Sequence, residues 1–186
     1  MALADDEERL RAATIGELDL HQGPITLVHY QPEWPLLYAA EAERIRDTLG
    51  DQVIQLEHVG STAVPGLAAK PVIDIVVAVA DSSHERSYVP LLEAAGYELR
   101  IREPEWCEHR MFRDSEPNVN LHVFSADCDE VERMTRFRDH LRADEADRRL
   151  YEQTKRQLAQ RKWQYVQSYA DAKSAVVSEI LARAAP

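Results

Sequence analysis

The strongest hydrophobic pattern in the chain is an apolar run at residues 72–79 (Val-Ile-Asp-Ile-Val-Val-Ala-Val), broken only by Asp74. A short, β-branched run bounded by turn residues predicts a strand buried on both faces. Residues 25–30 and 53–59 read as strands on the same grounds, as do 97–102, 108–113 and 118–124. Helical spacing with a proline-bearing start at Pro32 and Pro35 predicts a helix to Leu49, stopped at Gly50. A second helix is expected over 84–95, ended by Gly96. From residue 118 to 185 there is neither glycine nor proline. Three helices are therefore expected at about 128–142, 145–161 and 163–184, with Asp127 and Asp144 as N-caps.

This order of elements predicts an α+β fold, a mixed sheet flanked by helices with a helical C-terminal part. The divisions expected are an acidic N-terminal arm at 1–22, an α/β core at 23–126 and a helical region at 127–186. A chain of 186 residues, 45% hydrophobic and 30% charged, is large enough for a real core. The formal net charge of −11 repels polyanions, so neither nucleic acid nor an anionic membrane is the expected partner. A local basic pocket for one phosphate-bearing small molecule remains compatible with it. Cys107 and Cys128 show no metal-ligand spacing, and the acidic N-terminus lacks the features of a secretory signal. No apolar run approaches the roughly 20 residues that span a bilayer. Two thiols in such a chain point to a reducing, cytoplasmic setting.

The candidate chemistry is concentrated between residues 57 and 80. A carboxylate inside an apolar strand requires a cation, a metal or several donors. Gly60, Ser61, Thr62 and Gly66 form a small-residue turn just upstream, suited to close approach by a phosphate or simply to a tight connection. Lys70 either pairs with Asp74 internally or binds a phosphate while Asp74 takes a divalent ion. His122 is the polar candidate on the last strand, as a ligand or as a hydrogen-bonded core residue. Glu57 and His58 point to opposite faces of their strand, so only one of them can join Asp74. Arg110 and Arg113 could add positive charge. Tyr165, Tyr169 and Lys173 have helical spacing and could form a wall against a nucleotide or ordinary packing.

These residues carry a resemblance. Residues 57–75 (Glu-His-Val-Gly-Ser-Thr-Ala-Val-Pro-Gly-Leu-Ala-Ala-Lys-Pro-Val-Ile-Asp-Ile) are similar to the signature of the GrpB family. Residues 29–34, 120–123 and 137–142 and two Tyr-x-x-x-Lys pairs extend the resemblance over about 25–182. That family resembles nucleotidyltransferases, and some relatives are joined to dephospho-CoA kinase. The resemblance implies catalytic roles for Asp74, Lys70 and His122, and phosphate or nucleotide contacts for Gly60, Ser61, Thr62, Lys70, Arg110, Tyr169 and Lys173. It also implies a divalent metal, Mg²⁺ or Mn²⁺ ahead of Zn²⁺, held by Asp74 and His122 with Glu57 or His58. Gly60-Ser61 and Asp74 match the nucleotidyltransferase pattern with twelve residues between Ser61 and Asp74. The second carboxylate of that pattern is replaced by Val76. One aspartate and an imidazole make a poor Mg²⁺ cage. The activity implied is binding of a nucleotide or nucleotide-bearing metabolite, with nucleotidyl transfer to a small acceptor. The alternatives are a catalytically silent regulatory domain linked to coenzyme A metabolism, or a metal-dependent hydrolase built on His58, Asp74 and His122.

Overall fold

The computed structural model describes residues 2–18, 20, 24–116 and 118–184. At its centre is a five-stranded mixed sheet, ordered β1-β2-β5-β4-β3. The strands are β1 (Gln55–Val59), β2 (Ile73–Val79), β3 (Glu98–Glu103), β4 (His109–Ser115) and β5 (Asn118–Ser125). Only β2 and β5 pair in parallel. The apolar run thus becomes an inner strand: Ile73, Ile75, Val76, Val77, Ala78 and Val79 are all buried. That is why β2 lacks the alternation of a half-exposed strand.

One face of the sheet carries Ile75, Val77, Leu121, Val123 and Phe112. It packs under α2 (Trp34–Leu49) and α3 (Val89–Ala94) through Trp34, Ile45, Tyr88 and Leu92. The other face is divided. Val59, Val76, Ala78 and Phe124 pack on Val131 of α4 (Glu130–Ala143). Val64 and Leu67, in the connection from β1 to β2, pack against Leu141, Tyr151, Val176 and Ile180. These belong to α4, α5 (Glu145–Ala159) and α7 (Ser174–Arg183). The helical tail is therefore clamped onto the loop that carries the candidate chemistry.

Arg138 of α4 ties the two parts together. Its buried guanidinium donates to the His58 carbonyl (2.9 Å), Glu57 (2.8 Å) and Asp139. Arg142 beneath it donates to the Ala63 carbonyl. These bonds fix where the β1–β2 turn stands relative to the tail.

Several elements differ from the sequence expectation, each for a local reason. Residues 25–30 form no strand; Val28 makes an isolated two-bond bridge to Ala69, because the sheet edge at β1 is not where this segment runs. The helix expected over 84–95 divides into a 3₁₀ turn (Glu85–Ser87) and α3, whose first turn holds Pro90. The helix expected over 163–184 divides into α6 (Val166–Asp171) and α7, with Lys173 at the break. Asp144 does cap α5, accepting from the Asp147 N–H, but α4 begins at Glu130 rather than near Asp127. The N-terminal arm contains α1 (Ala2–Ala13), and Thr14 bridges to Ile101 of β3. The two cysteines are not separate thiols: Cys107 and Cys128 form a disulfide joining the β3–β4 turn to the start of α4. This removes the free-thiol argument for a reducing compartment. No helix among the described residues is long and apolar enough to cross a membrane.

Replacing Arg138 by Met strands the His58 carbonyl and leaves Glu57 without its guanidinium. Urea unfolding of the variant should report a loss of about 2–3 kcal/mol. An unchanged midpoint would show that the tail is held by apolar contacts alone.

Candidate functional site

Side-chain alternation and strand register assemble a row across the divided face. Val59, Asp74, Asn120 and Arg113 are paired neighbours on β1, β2, β5 and β4. The next row holds Glu57, Val76, His122 and Met111. Asp74 thus sits near the start of β2 beneath the turn that follows β1.

That turn is shaped around the aspartate. Gly60 has φ +70°, and a Cβ there would lie 2.9 Å from the Asp74 Cβ. Both the left-handed backbone and the close approach demand glycine. The Asp74 carboxylate accepts from Asn120 Nδ2 at 2.9 Å and faces His122 Nε2 at 4.0 Å. Its side chain is 29% exposed, so a path to solvent remains open.

Three lysines from three segments surround this carboxylate: Lys173, Lys70 and Lys155 all lower its proton affinity. Burial outweighs them and raises the Asp74 pKa, even with the bond from Asn120. Burial likewise lowers the pKa of Lys70 and of Lys173, against the opposing pull of Asp74. Lys155 is pushed down to about 7 by burial and then by Lys173. Its ammonium donates to Ser61 Oγ (2.9 Å) and to the Ala68 carbonyl (2.5 Å). The Lys70 ammonium has no hydrogen-bond or ion-pair partner among the described residues, and the Lys173 ammonium only overlies the Tyr169 ring at 4.9 Å. Arg113, in the same row, repels Lys70 further. Three lysines thus act on one carboxylate, with Glu152 near Lys155 and Asp171 near Lys173 as the other acids they feel.

The structure brings Gly60, Ser61, Lys70, Asp74, His122 and Lys173 together, with Tyr169 behind Lys173. It places the other expected residues elsewhere. Thr62 is turned inward, donating to the Val72 carbonyl and accepting from His58, so only its backbone borders the turn. His58 lies on the opposite face, stacked on Tyr38, which leaves the proposed His58–Asp74–His122 hydrolase set unassembled. Glu57 shares the face of Asp74 but is engaged by Arg138 and lies one row away. Arg110 is buried on the far face, paired with Glu85 and Glu108. Arg113, three residues on and so on the other face, takes the place expected of it.

The only sequence signal for Lys155 is the Tyr-x-x-x-Lys echo shared by residues 151–155 and 169–173. The Lys155 ammonium also overlies the Tyr151 ring at 4.9 Å. The buried Tyr169 hydroxyl has no hydrogen-bond partner among the described residues.

Asp74 and His122 offer one oxygen and one nitrogen to a divalent ion. Val76, where a second carboxylate would stand, is sealed among Val59, Ala78 and Phe124. Two donors fit an ion completed by ligand phosphate and water rather than a resident protein cage. Among the described residues, three ligating side chains converge only at His140, Asp144 and Asp147. There, Asp147 is already held by Arg183 and His140, and Asp144 caps α5, so the group is tied up at a helix junction.

Gly60→Ala forces the turn off Asp74; it should cost about 1–3 kcal/mol by strain alone and displace Ser61, measurable as lost stability in urea. The buried imidazole of His58 is lowered from 6.5 to about 4 by burial and by Arg142 and Arg138. Between those pH values the unfolded chain takes up a proton that the folded chain refuses. Stability should therefore fall as pH drops from 6.5 to 4, by on the order of 3 kcal/mol. His58→Gln should flatten that stretch of the stability profile; an unaltered slope would assign it to other groups.

Comparison with known proteins gives the family and the fold. The family described as GrpB protein matches residues 24–183. A UPF0157 protein of Halalkalibacterium halodurans is 56% identical over 178 residues, covering 96% of this chain and 91% of that one. A UPF0157 protein of Streptomyces coelicolor is 49% identical, covering 86% and 84%. A dephospho-CoA kinase of Mycolicibacterium paratuberculosis is 36% identical over 89 residues, 46% of this chain and 22% of that one. The crystal structure of the conserved protein GrpB from Enterococcus faecalis superposes with a TM-score of 0.74 at 30% identity, covering 86% of this chain and 96% of that chain. The chain belongs to the GrpB family.

Proposed function

We propose that this protein binds a nucleotide, or a metabolite bearing a nucleotide's phosphates, in the cleft over Asp74. The observation that carries this is the charge imbalance. Lys70 and Lys173 both act electrostatically on one carboxylate without hydrogen-bonding or ion-pairing to it, and Lys155 adds a third positive charge. Cations collected in a half-buried site carry an electrostatic cost that an anion relieves. A phosphate supplies several oxygens for those donors and for the N–H groups of the tight turn at Gly60 and Ser61.

In the finer reading, a hydroxyl oxygen of a small acceptor attacks the α-phosphorus of a bound nucleoside triphosphate, the α–β phosphoanhydride bond breaks, pyrophosphate leaves and the hydroxyl proton passes to solvent. Lys70 and Lys173 would offset the negative charge that grows on the phosphate oxygens. Asp74 would orient the acceptor, and Asp74 with His122 would hold a divalent ion, which when bound supplies further charge neutralisation. The alternative is a catalytically silent domain that senses coenzyme A or its precursors. Val76 in place of a carboxylate favours it, and so does the partial similarity to dephospho-CoA kinase.

Thermal unfolding with ATP, CTP, dephospho-CoA and coenzyme A, with and without Mn²⁺, tests both readings. A true ligand at 100 times its dissociation constant adds about 2.7 kcal/mol. Lys70→Met and Lys173→Met should each weaken that binding with or without Mn²⁺, whereas Asp74→Asn should remove only the Mn²⁺-dependent part. Affinity unchanged in all three variants would move the ligand site away from Asp74. Pyrophosphate release would separate transfer from silent binding.

A further inference from the structure

A second line of polar groups reaches the cleft from the sheet interior. His109 is only 2% exposed and lies among Trp106, Phe124 and His122, with ring centroids 4.8, 4.7 and 5.2 Å away. Its Nδ1 is 2.8 Å from Glu103 Oε2, and its Nε2 is 3.0 Å from His122 Nδ1. Beyond His122, the far nitrogen Nε2 faces Asp74 Oδ1 at 4.0 Å. The four groups form one line from the β3–β4 turn to the cleft floor. None of the expected site residues requires Glu103 or His109, yet a buried imidazole and a mostly covered carboxylate are aligned behind His122.

The direction of hydrogen bonding along that line follows from what each atom can do. An ionised carboxylate only accepts, so His109 Nδ1 must donate to Glu103. A neutral His109 then has only a lone pair at Nε2, and His122 Nδ1 must donate to it. His122 Nε2 is left as a lone pair aimed at Asp74. We propose that Glu103 and His109 are positioning residues that fix His122 as its Nδ1–H tautomer, presenting Nε2 to the Asp74 cleft as an acceptor. This rests on the reading that the cleft is the binding site. It specifies how an imidazole there is made ready for a divalent cation that accepts nitrogen, or for an acceptor hydroxyl of the ligand. Outer groups that orient a histidine in this way are the usual companions of a functional imidazole.

The stacking explains why the line is rigid. Trp106 and Phe124 grip the His109 ring, and the Cys107–Cys128 disulfide anchors the turn between Trp106 and His109 to the start of α4. A purely structural pair of histidines would need neither the carboxylate at one end nor an open lone pair at the other.

The test combines side-chain ¹⁵N correlation spectra of the full chain with Mn²⁺ titration followed by electron paramagnetic resonance. The spectrum of the unaltered chain should show His122 protonated at Nδ1 and bare at Nε2. Glu103→Gln should keep that tautomer, since an amide oxygen still accepts, and hold the Mn²⁺ dissociation constant within about threefold. Glu103→Leu and His109→Phe should shift His122 toward the Nε2–H form and weaken Mn²⁺ by about 10–100-fold. A His122 that carries its hydrogen on Nε2 in the unaltered chain would overturn the assignment, as would a tautomer that survives both disruptive changes. Should the unaltered chain take up no Mn²⁺ with the Nδ1–H tautomer in place, the positioning stands and the metal in the preceding section falls. Should His109→Phe fail to fold, the two Glu103 variants carry the comparison.

Discussion

The whole arrangement turns on placing a carboxylate where an inner strand of the sheet begins. Asp74 is surrounded by apolar side chains within β2, and its pKa is raised by burial, so it persists only because neighbours answer it. Gly60 gives it room, Asn120 donates to it, and three lysines neutralise it from the far side. The lysines come from the β1–β2 connection, from α5 and from the break between α6 and α7. They can meet only if the helical tail is clamped over the loop, which Arg138 and Arg142 accomplish through carbonyl oxygens of β1 and of the turn after it. The gathering of the lysines and the packing of the tail therefore depend on the same contacts.

The sequence made much of this legible, and the limits are physical. Residues 72–79 announced an inner strand because both faces are buried, and a charged residue within such a run marks its own need for partners. The turn at Gly60 was equally visible. What sequence could not supply was register. Arg110 and Arg113 differ by three positions and so lie on opposite faces, but only the pairing of Arg113 with Asn120 says which one faces Asp74. Glu57 and His58 posed the same problem, decided by the pairing of Val59 with Asp74. Thr62 looked like Ser61 until its hydroxyl proved to hold the Val72 carbonyl. Lys155 and His109 are long-range contributors, separated from Asp74 by dozens of residues, and no local pattern points from one to the other.

The departure at Val76 is informative in the same terms. That position is packed among Val59, Ala78, Phe124 and Val131, and a carboxylate there would be stranded without a donor. The site therefore holds one acid, three lysines that act on it and an imidazole facing it. Such a balance favours recognising an anion over caging a metal, so the phosphate half of the proposal stands on firmer chemistry than the metal half.

The most direct test of the account is a crystal structure of the protein grown with a non-hydrolysable nucleoside triphosphate and Mn²⁺. The account predicts phosphate oxygens within hydrogen-bond distance of Ser61, Lys70 and Lys173, lying over Asp74. Nucleotide bound at another surface, with the Asp74 cleft holding only solvent, would contradict it.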